Sequence, residues 1–349
     1  MQLSHCNVLV TGGAGFIGSE LTRQLLPRCA SVVVLDNLAN GRRENLPEAA
    51  GGQLQLVVAD IRDRGRVAEL LHGIDIVFHL ACLGVRHSIH SPRENHEVNA
   101  TATLDLLSAA RDAGVSRFVY TSSSEVYGTA KWVPMTEDHP TFPMTVYGAS
   151  KLAGECYVRA FHRTYDYPAV VVRPFNAYGP RCHHEGDSGE VIPKFMLRCL
   201  AGLPMVVFGD GTQTRDFTFV TDTARGIASA ATSDAAIGQT INLGSGAEIT
   251  IEDLAGAVAK ALGLDGANVI HDAPRPGDVL RLYADCGRAR ELLGFQPSIG
   301  FAEGLAKLRD WYLAAGQSPL ELLENECVRN WEVAIADKLK MLQIGRAHV

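Results

Sequence analysis

Six short aliphatic runs recur along the first half of the 349-residue chain, and they constrain its fold more than any other feature. They are "NVLVTG", "SVVVLD", "LQLVVAD", "DIVFHLA", "RFVYTSS" and "AVVVRP". A strand wetted on one side alternates apolar and polar residues, whereas one buried on both faces reads as a nearly continuous apolar run. Helical stretches separate them: "GSELTRQLL", "RGRVAELLHG", "NATATLDLLSAARDAG" and "ASKLAGECYVRAFHRTY". Strands covered on both faces and joined through helices predict a doubly wound parallel sheet of the α/β class.

Composition narrows the partners. Hydrophobic residues make up 46% of the chain, enough for a sizeable core. The formal charge is −7, with no basic run, which argues against nucleic acid or an anionic membrane surface as a partner. No stretch approaches the ~20 apolar residues of a membrane span. The eight cysteines form no CxxC pair. Cys82 and Cys156 sit in apolar runs, where they read as small hydrophobes. "MQLSHCNVLVTGG" enters a strand pattern without signal-peptide features, so a reducing cytoplasm is the expected compartment.

After about Pro174 the pattern loosens into Gly-, Pro- and charge-rich loops such as "GPRCHHEGDSGE", "GDGTQTRDF" and "PRPGDVL". This half reads as a smaller lobe over the carboxyl edge of the sheet, with "QTINLG" returning to it as a strand. The expected division is 1–175 for the main domain, 176–315 for most of the second lobe and 316–349 for a helical extension. That extension, "PLELLENECVRNWEVAIADKLKML", shows no catalytic content.

"VLVTGGAGFIGSEL" joins a strand, a glycine turn and a helix start. Gly12, Gly15 and Gly18 have GxxGxxG spacing: the first two let backbone approach a pyrophosphate, and the third lets helix pack on strand. Asp36 ends the second strand, where its carboxylate can accept from ribose hydroxyls and would repel a 2′-phosphate. The pattern predicts NAD in preference to NADP. Asp60 and Ile61, after the third strand, are placed to meet the adenine.

"TVYGASK" stacks Tyr147 and Lys151 about one helical turn apart on one face. Alone, that spacing also fits a half-buried aromatic over a lysine stem. The chain as a whole decides between them. The glycine turn, "DIRD", "HLAC", "VNATATLDLL", "TSSSEVYG", "YGASK", "RPFNAYGPR", "GDGTQTRDF" and "PRPGD" together resemble the extended short-chain dehydrogenase/reductase family, in particular its nucleotide-sugar epimerases, dehydratases and decarboxylases. The resemblance covers roughly residues 5 to 315.

It implies roles residue by residue. Tyr147 is the base that takes the proton of a sugar C4 hydroxyl, Lys151 holds the phenol ionised, and Ser123 hydrogen-bonds the same hydroxyl. Free tyrosine ionises near pH 10, so lowering it by ~3 units requires about 4 kcal/mol. Phe16, Ile17, Asn37, Leu80, Ala81 and Asn99 join the cofactor residues, and Lys151 and Tyr147 also meet the nicotinamide end. Ser124, Asn176, Arg215, Arg275 and Asp278 become substrate residues, with the arginines matched to the family's diphosphate-binding positions.

Glu125 is the residue on which the reaction type turns. Several dehydratases and decarboxylases carry Ser or Asp then Glu here, as Ser124 and Glu125 do. Those enzymes usually have threonine in the Ser123 slot, and "GDGTQTRDFTFV" is more like the epimerases. The reading is a 4-epimerase acting on an NDP-hexose or a related sugar, UDP being the family's commonest nucleotide, with 4,6-dehydratase and decarboxylase as alternatives. A non-catalytic NAD-binding module would be expected to lose the Tyr or Lys. The family also implies a homodimer through the third and fourth helices quoted above. "RCHHEGDSGE" gathers Cys182, His183, His184, Glu185 and Asp187, but contiguous ligands in one loop seldom converge on one ion. No metal is expected, and the segment reads as a sugar-facing loop.

Overall fold

The computed structural model describes residues 2–49, 51–186 and 188–332. The six runs form β1 (Asn7–Thr11), β2 (Ser31–Asp36), β3 (Leu54–Val58), β4 (Ile76–His79), β5 (Arg117–Thr121) and β6 (Ala169–Pro174). With β11 (Thr240–Leu243) they make a seven-stranded sheet in the order β11-β6-β5-β4-β1-β2-β3. Every pairing in it is parallel, with Val8 opposite Val32 and Ile76, and Val172 opposite Ile241. Burial on both faces explains the unbroken apolar runs.

The chain between the strands supplies the covering layers. Helices α1 (Phe16–Leu25), α8 (Val220–Thr232) and α10 (Gly287–Leu293) cover one face. Leu21, Leu25, Ile227 and Ala231 pack there on Val8, Val10 and Val32. Helices α2 (Arg64–Leu70), α5 (Ala102–Asp112) and α6 (Val146–Tyr165) cover the other, through Val67, Leu106, Leu107, Val158 and Phe161. Two short helices, α3 (Val85–His90) and α4 (Pro92–His96), and a π-helical turn over Glu97–Thr101 lie ahead of α5.

The second lobe is built from small pieces. β7 (Asn176–Tyr178) pairs with β10 (Phe217–Phe219), β8 (Met205–Phe208) with β13 (Val269–Asp272), and β9 (Thr214–Arg215) with β12 (Ile249–Thr250). Helices α7 (Val191–Leu200), α9 (Ile251–Ala261) and α11 (Phe301–Ala314) enclose a core around Phe195, Phe217, Leu254 and Leu308.

The extension differs from expectation. Its helix, α12 (Pro319–Leu322), is a single turn opened by a Ser318–Glu321 capping box. Residues 323–332 then run as turns and irregular chain, and the rest of the quoted helix lies outside the described residues. Partners remote in sequence hold this segment open. Gly186 N–H donates to the Asn325 carbonyl at 3.0 Å, Lys194 Nζ to the Cys327 carbonyl at 2.6 Å, and Arg198 pairs with Glu326 at 2.7 Å.

Candidate active site

Strand order reverses between β1 and β4, and ligands of open α/β sheets bind at that crevice. The turn after β1 is shaped for close approach. Gly12 has φ +70°, and a Cβ there would lie 2.7 Å from the Ala81 nitrogen. A Cβ on Gly18 would collide with the Gly12 carbonyl, so α1 can begin this close to the strand only on glycine. Asp36 is 8% exposed and accepts from the N–H groups of Ala14 and Leu38, each at 2.9 Å. Burial raises its pKa, and those two donors pull the other way. Gly41 is a residue that sequence reading missed: a Cβ there would stand 2.7 Å from Asp36 Oδ1. Asp60 is held down to about 2 by Arg62, 2.8 Å away, and also accepts from Asn37 at 3.2 Å. A glycine cradle at a helix N-terminus beside a strand-end carboxylate fits NAD.

One cavity runs from this turn across the sheet edge into the second lobe. It is lined by Gly12, Gly15, Phe16, Ile17, Gly18, Asp36, Asn37, Asp60, Ile61, Leu80 and Ala81 at one end. Ser123, Ser124, Glu125, Tyr147 and Lys151 line its middle, and Asn176, Arg215, Arg275 and Asp278 lie further on. Asn99 is the exception among the expected residues. Its amide nitrogen serves the Leu83 carbonyl, Asn95 and Ser150, and its oxygen takes the Leu83 N–H at 2.8 Å. From the π-helical turn it ties Leu83, α4 and α6 together.

The small residues between Tyr147 and Lys151 have a steric reason. A Cβ on Gly148 would sit 2.6 Å from the Glu125 carbonyl oxygen, so glycine lets the start of α6 press on that turn. Thr145 caps the helix by accepting from Gly148 N–H at 3.2 Å. Tyr147 is thereby brought to Ser123, whose hydrogen bond pulls the phenol's pKa down. Burial acts in the opposite direction and dominates, so the pKa of Tyr147 is raised. This differs from the expectation that Lys151 lowers it. Lys151 is 2% exposed, and its Nζ donates to the Thr121 carbonyl at 2.6 Å. Its own pKa is depressed by burial.

Behind this trio lies an ionic strut that sequence reading missed. Glu155, one turn past Lys151, is fully buried and accepts from Ser122 Oγ at 2.6 Å. Arg173 of β6 donates to both its carboxylate oxygens, at 2.8 and 2.7 Å. Arg173 also reaches the Tyr127 hydroxyl at 2.7 Å, which donates to Asn242 of β11. The strut fixes α6, the strand end carrying Ser123, and the turn carrying Glu125 in one frame. A charge four residues from Lys151, on the same inner face, was the available signal.

Beyond Tyr147 the lining turns cationic. Arg215 and Arg275 share Asp278, with Arg215 2.6 Å from its Oδ1. Arg86 of α3 lines the same region with Nε buried and without a hydrogen-bond partner, and burial draws its pKa down to about 10. Asn176 Oδ1 is likewise buried and unpartnered. Such atoms carry a desolvation cost that a ligand relieves. Arg86 was not among the expected residues, since an arginine in a short helix carries no sequence signal.

One expectation changes here, that of Cys82 and Cys156. Of the 182–187 segment, His183 lines the cavity, and its charge environment includes Arg42 on one side and Arg86 on the other. Glu185 pairs with Arg42 at 2.6 Å, Arg181 pairs with Glu20 of α1, and His183 lies close enough to Asp36 to lower its pKa. The segment thus spans the two ends, tied to Arg42 on the cofactor side and, through Gly186, to Asn325 of the extension; Asp187 lies outside the described residues. Cys82 and Cys156 are exposed, because one follows the sheet edge and the other occupies the outer face of α6.

A serine, tyrosine and lysine meeting beside a glycine cradle on a doubly wound sheet define the short-chain dehydrogenase/reductase class. The family described as "NAD dependent epimerase/dehydratase family" matches residues 8–244. A UDP-glucose 4-epimerase of Mycolicibacterium smegmatis is 41% identical over 310 residues, 87% of this chain and 97% of the relative. The structure of DesIV, a dTDP-glucose 4,6-dehydratase of Streptomyces venezuelae with NAD bound, superposes with TM-score 0.84 and 38% identity, covering 88% and 97% of the two chains. A UDP-glucose 4-epimerase structure from Thermotoga maritima with UDP-glucose gives 0.83 and 32%, over 88% and 98%. The chain belongs to the NAD-dependent epimerase/dehydratase family of nucleotide-sugar enzymes, and its cofactor is NAD. Among the described residues, no helix is long and apolar enough to cross a membrane.

Proposed function

We propose that the protein is a nucleotide-sugar 4-epimerase acting on a UDP-linked hexose or a related sugar. The carrying observation is the content of the turn after Ser123. A 4,6-dehydratase needs an acid and a base for C6 and C5, and this turn offers one carboxyl, Glu125, beside a buried serine, Ser124. Epimerisation needs neither.

Tyr147 takes the C4 hydroxyl proton, and Ser123 holds that hydroxyl in line with it. NAD, when bound, supplies the hydride acceptor and donor at C4 and a positive charge near the phenol. Lys151, anchored on the Thr121 carbonyl, keeps an ammonium within the buried site and orients the nicotinamide end. Arg215, Arg275 and Asn176 hold the diphosphate, which leaves the sugar free to present either face of its ketone. In this reading residues 1–175 bind NAD and carry the reacting groups, and 176–315 hold most of the substrate.

The dehydratase reading keeps one supporting feature, Glu125 itself, which lines the cavity beside Tyr147. Incubation with NAD and UDP-glucose, UDP-galactose or their N-acetyl and uronic forms, followed by proton NMR, tests the proposal. Inversion of the H4 coupling pattern supports epimerisation, and a product lacking water or carbon dioxide refutes it. We also propose a homodimer through the outer faces of α5 and α6, where Leu104 and Tyr157 are only partly buried and Tyr165 is 54% exposed. A monomer by light scattering at micromolar concentration contradicts that.

A further inference from the structure

The C-terminal segment that sequence reading left without a role lines the same cavity. Glu326, Val328, Asn330 and Trp331 all face it, alongside Val206 and Phe208 of β8. A strap of irregular chain crossing an active-site cavity has to be tied down, and this one is tied along its length. Arg198 of α7 holds Glu326 at 2.7 Å, and Lys194 donates to the Cys327 carbonyl at 2.6 Å. Arg329 forks onto both carboxylate oxygens of Asp272 in β13, at 2.6 and 2.9 Å. Asn330 donates to the Gly189 carbonyl at 2.9 Å. The result is Trp331, 8% exposed, with its ring 4.7 Å from that of Phe208 at an angle of 79°.

Position gives this corner its role, resting on the nucleotide-sugar reading above. A sugar at Tyr147 and a diphosphate at Arg215 and Arg275 leave the nucleoside to extend further into the second lobe. There Val206, Phe208, Val328 and Trp331 line the cavity beside Lys194 and Arg198, whose charged heads are engaged by Cys327 and Glu326, and the aromatic faces suit a flat heterocycle. We propose that Trp331 is a specificity-determining residue: with Phe208 it forms the end wall of the nucleobase slot, and the strap sets the size of base accepted. A wall formed by an indole favours a single-ring pyrimidine over a two-ring purine. The strap follows α12 and lies outside the part of the chain that carries the family motifs, so a base-reading wall there is a feature of this chain's own extension.

The test is titration calorimetry on the full chain with UDP, GDP, inorganic pyrophosphate and NAD as separate probes. Trp331→Ala is expected to weaken UDP at least tenfold and to narrow the UDP-over-GDP preference, leaving pyrophosphate and NAD unchanged. In steady state it raises KM for the nucleotide sugar with kcat nearly constant. Trp331→Phe restores much of the UDP affinity. Arg329→Ala, which frees the strap without touching the wall, moves UDP in the same direction as Trp331→Ala. Equal loss of UDP, pyrophosphate and NAD would show a general structural defect and overturn the proposal. So would a Trp331→Ala protein that binds UDP like wild type. Wild-type protein that binds neither nucleotide would overturn the nucleotide-sugar reading together with it.

Discussion

The two ends of the cavity are built by opposite means. At the cofactor end, residues 12 to 61 supply nearly everything, and much of it is backbone: a positive-φ glycine, close-packed Cα atoms, helix N–H groups and one strand-end carboxylate. At the far end side chains do the work, drawn from positions 86, 176, 215, 275, 278 and 331, which lie in five different segments. A backbone cradle admits one kind of ligand and tolerates little change. A wall of side chains can be altered one residue at a time, so the chain reads as a fixed cofactor site joined to an adjustable substrate site. Between them stands the Ser123–Tyr147–Lys151 group, held in register with both by the Glu155–Arg173 strut.

Breaking the shared centre has the largest effect. Tyr147→Phe is expected to lower turnover by about a thousandfold or more, because no proton acceptor remains at C4. NAD and UDP affinities stay near wild type. Stopped-flow absorbance of reduced cofactor checks this, and a variant keeping a tenth of the wild-type rate removes Tyr147 from its role.

The cofactor end comes next. Asp36→Ala removes a charged acceptor that is worth about 1.5–3 kcal/mol when hydrogen-bonded, so NAD affinity is expected to drop roughly tenfold to a hundredfold. NADP improves relative to NAD because the repulsion of a 2′-phosphate disappears as well. Fluorescence titration with both cofactors measures the gap; wild type preferring NADP contradicts the assignment of β2.

The smallest effect belongs to the substrate end and concerns pH. Burial raises Glu190 to about 7, with Arg86 opposing the shift. A carboxyl with a folded pKa above its unfolded value binds its proton more tightly when folded. Stability is therefore lost as pH rises from about 4.5 towards 7. Glu190→Gln has no proton to lose, so its melting temperature is expected to gain on wild type over that interval. Paired thermal melts at pH 5 and 8 decide it, and a constant difference between the proteins shows that Glu190 does not titrate there.

The same contrast explains what the sequence disclosed. The six strands were legible because two-sided burial writes an unbroken apolar run into each. The glycine turn was legible because Gly12 and Gly18 answer backbone constraints that no other residue meets, with Gly15 completing the spacing. Arg86 and Trp331 were not, since their meaning depends on which distant segments surround them. The bonds of Asn99 to Leu83, Asn95 and Ser150 were not legible, because its motif locates a helix and not the direction of an amide. Over residues 323–332 the expected helix lost to tertiary pairing, with Arg198, Lys194 and Gly186 each taking a backbone or side-chain partner from it. Glu155 and Arg173 lay in plain view as charges inside buried elements, a pattern that calls for a partner without saying which.

The central claim is that the sugar leaves with every atom it brought and only C4 inverted. Turnover of a UDP-hexose carrying deuterium at C4 tests it most directly. Epimerisation gives a product of unchanged mass with the label still on C4. A product lighter by one water, with the label on C6, would contradict it and make Glu125 the base of a dehydratase.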